Sequence, residues 1–226
     1  VKVGVFLLSF KRPDTTPKVV KAIQNQTVKP HSIYLFNNNP EIQVKYPGVI
    51  NINSEENFRC IIRHAIALTR VDIDYCLFVD DDVVLKPEAI ANFLKYSEKY
   101  PEAILGYYGR DIIPERYYSL ARTNFFTGKE REVDLVLGMV HFCKRVKLTN
   151  SFILKKEIPD LPLTEDDIIL SLGNKFIDKQ KNYVIPYTVK SAPISLGSMH
   201  KGLSSRKEHG SLRVDAVKRI TEWAAK

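Results

Sequence analysis

Strand-like and helix-like patterns alternate through the first 109 residues, and that alternation limits the fold more than any other feature. "VGVFLLS" (3–9), "SIYLFNNNP" (32–40), "GVINI" (48–52), "YCLFV" (75–79) and "AILGYYG" (103–109) are short β-rich apolar runs. Between them the apolar residues shift to helical spacing. Thr16 before Pro17 predicts an N-cap and helix start, followed by the stripe Val19, Val20 and Ile23. Phe58, Ile61, Ile62, Ala65, Ile66 and Leu68 predict a helix over 55–70, and Pro87 opens another over 87–100. This βαβ rhythm predicts an α/β fold: a mostly parallel sheet with helices on both faces.

Further along, 110–132 reads as a loop and "VDLVLGMVHF" (133–142) as one strand. Thr164, with Asp167 three residues on, has the form of a capping box that starts a helix. "NYVIPY" (182–187) is short and extended, and a Gly/Ser-containing segment (195–211) leads into a last helix near 211–225. No repeat or linker divides the chain, so residues 1–226 are expected to form a single domain. Apolar residues make up 44%, enough for a core, yet no apolar run approaches the roughly 20 residues of a membrane span. The opening "VKVGVFLLSF" reads as a first strand and not as a signal peptide. Cys60, Cys76 and Cys143 lack metal-type spacing and read as thiols of a reducing, cytoplasmic compartment. The net charge of +8 calls for an anionic partner. Because the basic residues are scattered, with no arginine-lysine block interleaved with aromatics, nucleic acid is not expected.

One strand carries an unusual ending. "YCLFVDDDVVL" sets Asp80, Asp81 and Asp82 side by side after a buried run. Two like charges about 4 Å apart repel by roughly 4 kcal/mol at an effective dielectric near 20. In open α/β sheets ligands bind at the carboxyl ends of strands, where a divalent cation would offset the repulsion and hold a diphosphate. A solvated acidic turn is the plain alternative, and a phosphoacceptor receiver domain would need its acids after the first strand. Other polar groups recur at strand and helix ends. They are Asn37–Asn39 in "LFNNNP"; Asn57, Arg59 and Arg63 in "ENFRCIIRH"; Asp166 and Asp167 in "LTEDDIILSLGNKF"; and His200, His209 and Arg213 in "GSMHKGLSSRKEHGSLR". The last segment has the composition of a basic lid over a phosphate.

Taken in order, "LFNNNP", "NFRCIIR", "LFVDDDVVL", "KYPEAILGYYGR", "VLGMVHF", "EDDI" and "GLSSRKEHGSLR" resemble the motifs of GT-A glycosyltransferases, and more narrowly those of the exostosin-like branch. The resemblance spans about Val3 to Arg219 and extends to compact, chlorovirus-type enzymes that build glycans, which implies a virus-encoded protein of the host cytoplasm. It implies a GT-A, Rossmann-like domain with a nucleotide-binding half (about 1–109) and an acceptor side with a C-terminal lid (about 110–226). The activity it implies is hexosyl transfer from a UDP-sugar to a hydroxyl of a glycan or glycoprotein, dependent on Mn2+ or Mg2+ and retaining. Asp82 would ligate the metal, with Asp80 and His200 beside it. Asp80 also lies by the ribose. Asn38, Asn57 and Arg63 would contact the nucleoside, and Ser9, Arg12, Asp81, Lys201 and Arg213 complete the donor-binding set. Asp167 matches the catalytic-site aspartate, with Asp166 in reserve. The other classes are a nucleotide-sugar or carbohydrate-binding module without turnover, and a sugar nucleotidyltransferase. The latter normally has a glycine-rich phosphate loop, whereas "SFKRPD" has no glycine.

Overall fold

The apolar run after Lys2 becomes β1 (Val3–Ser9), which is buried along almost its whole length, as a central parallel strand must be. The computed structural model describes residues 1–113, 128–197 and 207–226 in full, together with the backbone of 116–122. After β1 come α1 (Thr16–Gln24), β2 (Ser32–Asn37), β3 (Ile50–Asn53), α2 (Ile62–Leu68), β4 (Tyr75–Asp80), β5 (Val83–Leu85), α3 (Ala89–Lys99) and β6 (Ile104–Gly106). The second half adds β7 (Tyr108–Ile113), β8 (Arg116–Arg122), β9 (Arg131–Val133), β10 (Leu135–Val136) and β11 (Val140–Lys144). It closes with α4 (Thr149–Glu157), α5 (Asp166–Phe176), β12 (Asn182–Val184), β13 (Pro193–Ser195) and α6 (His209–Ala224).

Eight strands form the central sheet, in the order β3-β2-β1-β4-β11-β6-β12-β9. Its first four strands run parallel, and β6 and β12 pair in parallel, while β11 runs antiparallel to both β4 and β6. This is the α/β architecture expected of a GT-A, Rossmann-like domain. Register brings three strand ends to one edge: Ser9 pairs with Asn37, and Leu8 pairs with Phe36 on one side and Asp80 on the other.

Alternation along the strands divides the core. Val5, Leu7, Leu77 and Val79 pack with Val19, Val20 and Ile23 of α1 and Phe93 of α3. Phe6, Cys76 and Phe78 face the opposite layer with Ala67 of α2. Leu77→Ala would open a cavity in the first layer at a cost of about 2–5 kcal/mol. A third cluster joins Leu154 of α4, Ile168, Ile169 and Leu172 of α5, and Ala216, Val217 and Ile220 of α6. Among the described residues no helix is long and apolar enough to cross a membrane.

Several boundaries differ from expectation. The supposed loop over 110–132 contains the antiparallel β7–β8 hairpin and β9. Part of the hairpin lies against β10 in a separate small sheet, so no continuous apolar run marks it. The stretch 133–142 is not one strand but three pieces, bending at Asp134 and turning at Gly138–Met139 as it crosses to the small sheet and back. Helix 55–70 shrinks to Ile62–Leu68, because Arg59 takes a positive φ of 64° that no helix accommodates. Thr16 lies just inside α1, its hydroxyl donating to the Arg12 carbonyl (2.9 Å), and the N-cap position falls to Thr15. Likewise Glu165, not Thr164, occupies the N-cap of α5, and no side chain caps that helix in the capping-box manner. Cys60, Cys76 and Cys143 are free thiols; Cys76 and Cys143 are buried, and Cys60 is half-buried.

Candidate active site

A cavity of about 470 Å³ opens at the carboxyl edge of the sheet. Asp80 to Asp82 form one wall, the loop Asn57–Cys60 a second, and Asp166, Asp167 and Arg213 a third.

The three consecutive aspartates are each met by an arginine. Arg12 follows β1, and its Nη1 reaches Asp81 Oδ1 at 2.7 Å and Asp82 Oδ2 at 3.0 Å. Asp81 also accepts the Phe10 backbone N–H at 3.3 Å, which commits this carboxylate to its own protein. Arg63 is buried and donates from Nη1 to Asp80 (3.0 Å), from Nε to Asp166 (2.6 Å) and from Nη2 to the Gly138 carbonyl (3.4 Å). Burial raises the pKa of Asp80 above the usual carboxylate range; Arg63 opposes that shift, and Asp82 and Asp81 add to it.

At the start of α5, Arg213 from α6 lies between two acids. It donates to Glu165 Oε2 (2.7 Å) and, with both terminal nitrogens, to Asp167 (3.1 and 2.9 Å). The backbone N–H groups of Gly138 and Ile168 donate to the two Asp167 oxygens, each at 2.9 Å. Burial works against ionisation of Asp167, yet Arg213 and these N–H donors hold its pKa below the ordinary value. Glu165 moves the other way: burial, reinforced by Asp167 and opposed by Arg213, pushes it up to about 7. Gly138 suits its place because a Cβ there would stand 3.3 Å from both Arg63 Nη2 and Asp167 Cβ.

Beneath Arg63, His64 and His141 are fully buried against Phe78. Burial, opposed by Asp166 and reinforced by Arg63, lowers His64 to about 4. The pKa of His141 falls well below its ordinary value through burial, Arg63 and His64.

The structure thus gathers Arg12, Asn38, Asn57, Arg63, Asp80, Asp81, Asp82, Asp166, Asp167 and Arg213 around one cavity. Ser9 is not among them; its hydroxyl is buried against Thr16 Oγ1 at 3.1 Å. Asn38 lines the cavity but spends its amide on the loop, donating to the Arg59 carbonyl and accepting from Phe58 N–H, both at 3.0 Å. Asn57 accepts the Arg59 N–H at 2.9 Å. His200, Lys201 and most of the expected lid lie outside the described residues. Sequence reasoning missed Glu165, Gly138 and the His64–His141 pair, although "LTEDDI", "VLGMVHF" and "RCIIRH" contain them. Asp80 and Asp82 both line the cavity and offer hard carboxylate oxygens, the donor type that Mn2+ and Mg2+ take. The donor type suits such an ion, which would compete with Arg12 for Asp82 and with Arg63 for Asp80, since each arginine already holds its carboxylate at 3.0 Å.

Residues 5–156, about two thirds of the chain, match the family described as glycosyl transferase family 2. No curated protein matches the chain.

Proposed function

The chain belongs to glycosyl transferase family 2, and from that premise we propose that it moves a hexosyl group from a UDP-sugar to a hydroxyl of a glycan acceptor. Enzymes of this family typically use a nucleotide sugar and a divalent metal. The observation that carries the proposal is the convergence, in one cavity, of the acids ending β4 with Asp167 and Arg213. In this reading 1–109 holds the nucleotide, with Arg63, Asn38 and Asn57 around the nucleoside, and 110–226 takes the acceptor.

Asp82 and Asp80 would hold Mn2+ or Mg2+, which supplies positive charge to the diphosphate when bound. Arg213 adds charge of the same sign, in a site where such interactions gain strength from water exclusion. As the bond between the sugar's anomeric carbon and the diphosphate oxygen breaks, a bond to the acceptor oxygen forms. With retention the acceptor's proton passes to the departing phosphate oxygen; with inversion Asp167 takes it as general base; in both cases UDP is released. The pKa of Asp167, held below its ordinary value, suits a carboxylate that orients the acceptor or stabilises the electron-poor sugar. Support for retention comes from the exostosin-like order of motifs.

The arginines supply the observation behind a second reading. Arg12 and Arg213 already neutralise Asp81, Asp82 and Asp167, as they would in a nucleotide-sugar-binding module without turnover. Incubation with a panel of UDP-sugars, Mn2+ and hydroxyl acceptors separates the two. Transfer or slow hydrolysis, with the product's anomeric proton reporting configuration by NMR, supports the enzyme. Binding of UDP and Mn2+ with neither transfer nor hydrolysis supports the module.

A further inference from the structure

A second group of polar side chains lies behind Arg63, away from the acids that end β4. His64 comes from α2, His141 from β11 and Asp166 from the first turn of α5, and all three are buried. His64 Nε2 stands 3.5 Å from His141 Nε2 and 3.6 Å from Asp166 Oδ2. One donor atom from each residue lies within 4.8 Å of the other two. As hydrogen bonds these separations are poor, since bonds of this type cluster near 2.9–3.0 Å and a contact of about 3.6 Å hardly counts. A buried polar atom without a good partner costs roughly 1–3 kcal/mol. As ligand separations, however, the 3.5 and 3.6 Å distances are nearly right. Two atoms each about 2.0–2.1 Å from one ion stand about 3.3–3.4 Å apart across a tetrahedral angle.

The surroundings fit coordination as well. His64 Nδ1 faces Ser151 Oγ at 3.2 Å, the kind of outer contact that fixes a ligating ring and leaves Nε2 toward the ion. Phe78 packs on both imidazoles, with centroids 4.9 and 4.6 Å away, and walls the group off from the core. Asp166 also lines the large cavity, which gives an ion a route in. Arg63 opposes occupancy, since its Nε lies 2.6 Å from the same Asp166 oxygen; Asp80, on its other side, offsets that charge. Two imidazoles and one carboxylate suit Zn2+ and similar ions of intermediate softness better than Mg2+ or Ca2+.

We propose that His64, His141 and Asp166 bind one zinc-class divalent cation, at a site separate from Asp80–Asp82. The ion would tie α2, β11 and α5 together under the cavity floor and fix Asp166, and through it Arg63. This assignment stands whether or not the protein transfers sugar.

Wild-type protein and the His64→Asn, His141→Gln and Asp82→Ala variants are each loaded with Zn2+, dialysed against metal-free buffer and measured for bound metal. The same proteins are loaded with Co2+ and scanned for visible d–d absorption. Expected are about one retained zinc per chain and a cobalt band in wild type and Asp82→Ala, with both lost in the two histidine variants. If a histidine variant fails to fold, the melting temperature decides: Zn2+ must then raise it in wild type and Asp82→Ala alike. The proposal is overturned if wild type retains no zinc and shows no cobalt band. It is equally overturned if retention follows Asp82 and is indifferent to the histidines.

Discussion

Arg213 grips Asp167 as a two-pronged fork, Nη1 to Oδ1 at 3.1 Å and Nη2 to Oδ2 at 2.9 Å. The pair joins the last helix to the first turn of α5 at the cavity wall. Asp167→Asn keeps one oxygen for the fork but removes the charge. Turnover should fall about 10²–10⁴-fold, while UDP affinity changes little. Asp166→Asn made beside it should instead loosen Arg63, and through it Asp80. Near-normal transfer by the Asp167 variant would remove that residue from the catalytic role.

Asp81 and Asp82 are neighbours with different expected functions. Asp81 is tied to Arg12 and to the Phe10 N–H, so Asp81→Ala should chiefly lower the melting temperature. Asp82→Ala should chiefly weaken UDP binding in the presence of Mn2+. Calorimetry of both variants, with metal and with chelator, tests the distinction. Equal UDP affinity with and without metal in the wild type would refute the cation's role at these acids.

Glu165 and Asp167 share one arginine, and Glu165 is the one that keeps a proton more easily, at about 7 against an ordinary 4.5. Between those values the folded chain holds a proton that the unfolded chain has released. The contribution to stability is therefore complete below about pH 4.5, shrinks as pH rises, and is gone above about 7, with a slope of at most about 1.4 kcal/mol per pH unit. Glu165→Gln lacks that proton, so its melting temperature should gain on wild type from pH 4.5 to 7 and run parallel above. Parallel curves across the whole range would contradict the raised pKa.

Gly138 sits where a methyl group would press on Arg63 and Asp167 together. Gly138→Ala should cost about 1–3 kcal/mol through overpacking and reduce turnover by about tenfold as the two side chains shift. The melting temperature and kcat should fall together. A variant with wild-type kcat would mean that neither side chain needs its present position.

β1 and β4 were legible in sequence because parallel strands covered on both faces read as unbroken apolar runs. The carboxyl edge of the sheet was legible for the same reason, since "DDD" interrupts such a run. The β7–β8 hairpin was not, because it pairs largely outside the main sheet and needs no continuous stripe. Arg63 shows a different limit. An arginine on an amphipathic helix reads as solvated, yet this one is buried by partners 17 and 103 residues away. Pairings at that distance leave no local pattern. The positive φ of Arg59, which delays the start of α2 to Ile62, is equally silent in the letters.

The antiparallel β11 lies between β4 and β6, although 59 residues separate the end of β4 from its start. The middle of the sheet therefore closes only after the chain has passed residue 140, and β4 keeps an open, apolar edge until then. During synthesis that edge is a template for pairing with another chain, and the long-range closure slows folding. A fragment ending near residue 109 would retain the exposed edge permanently. It should aggregate rather than bind nucleotide, which makes the two halves one kinetic unit.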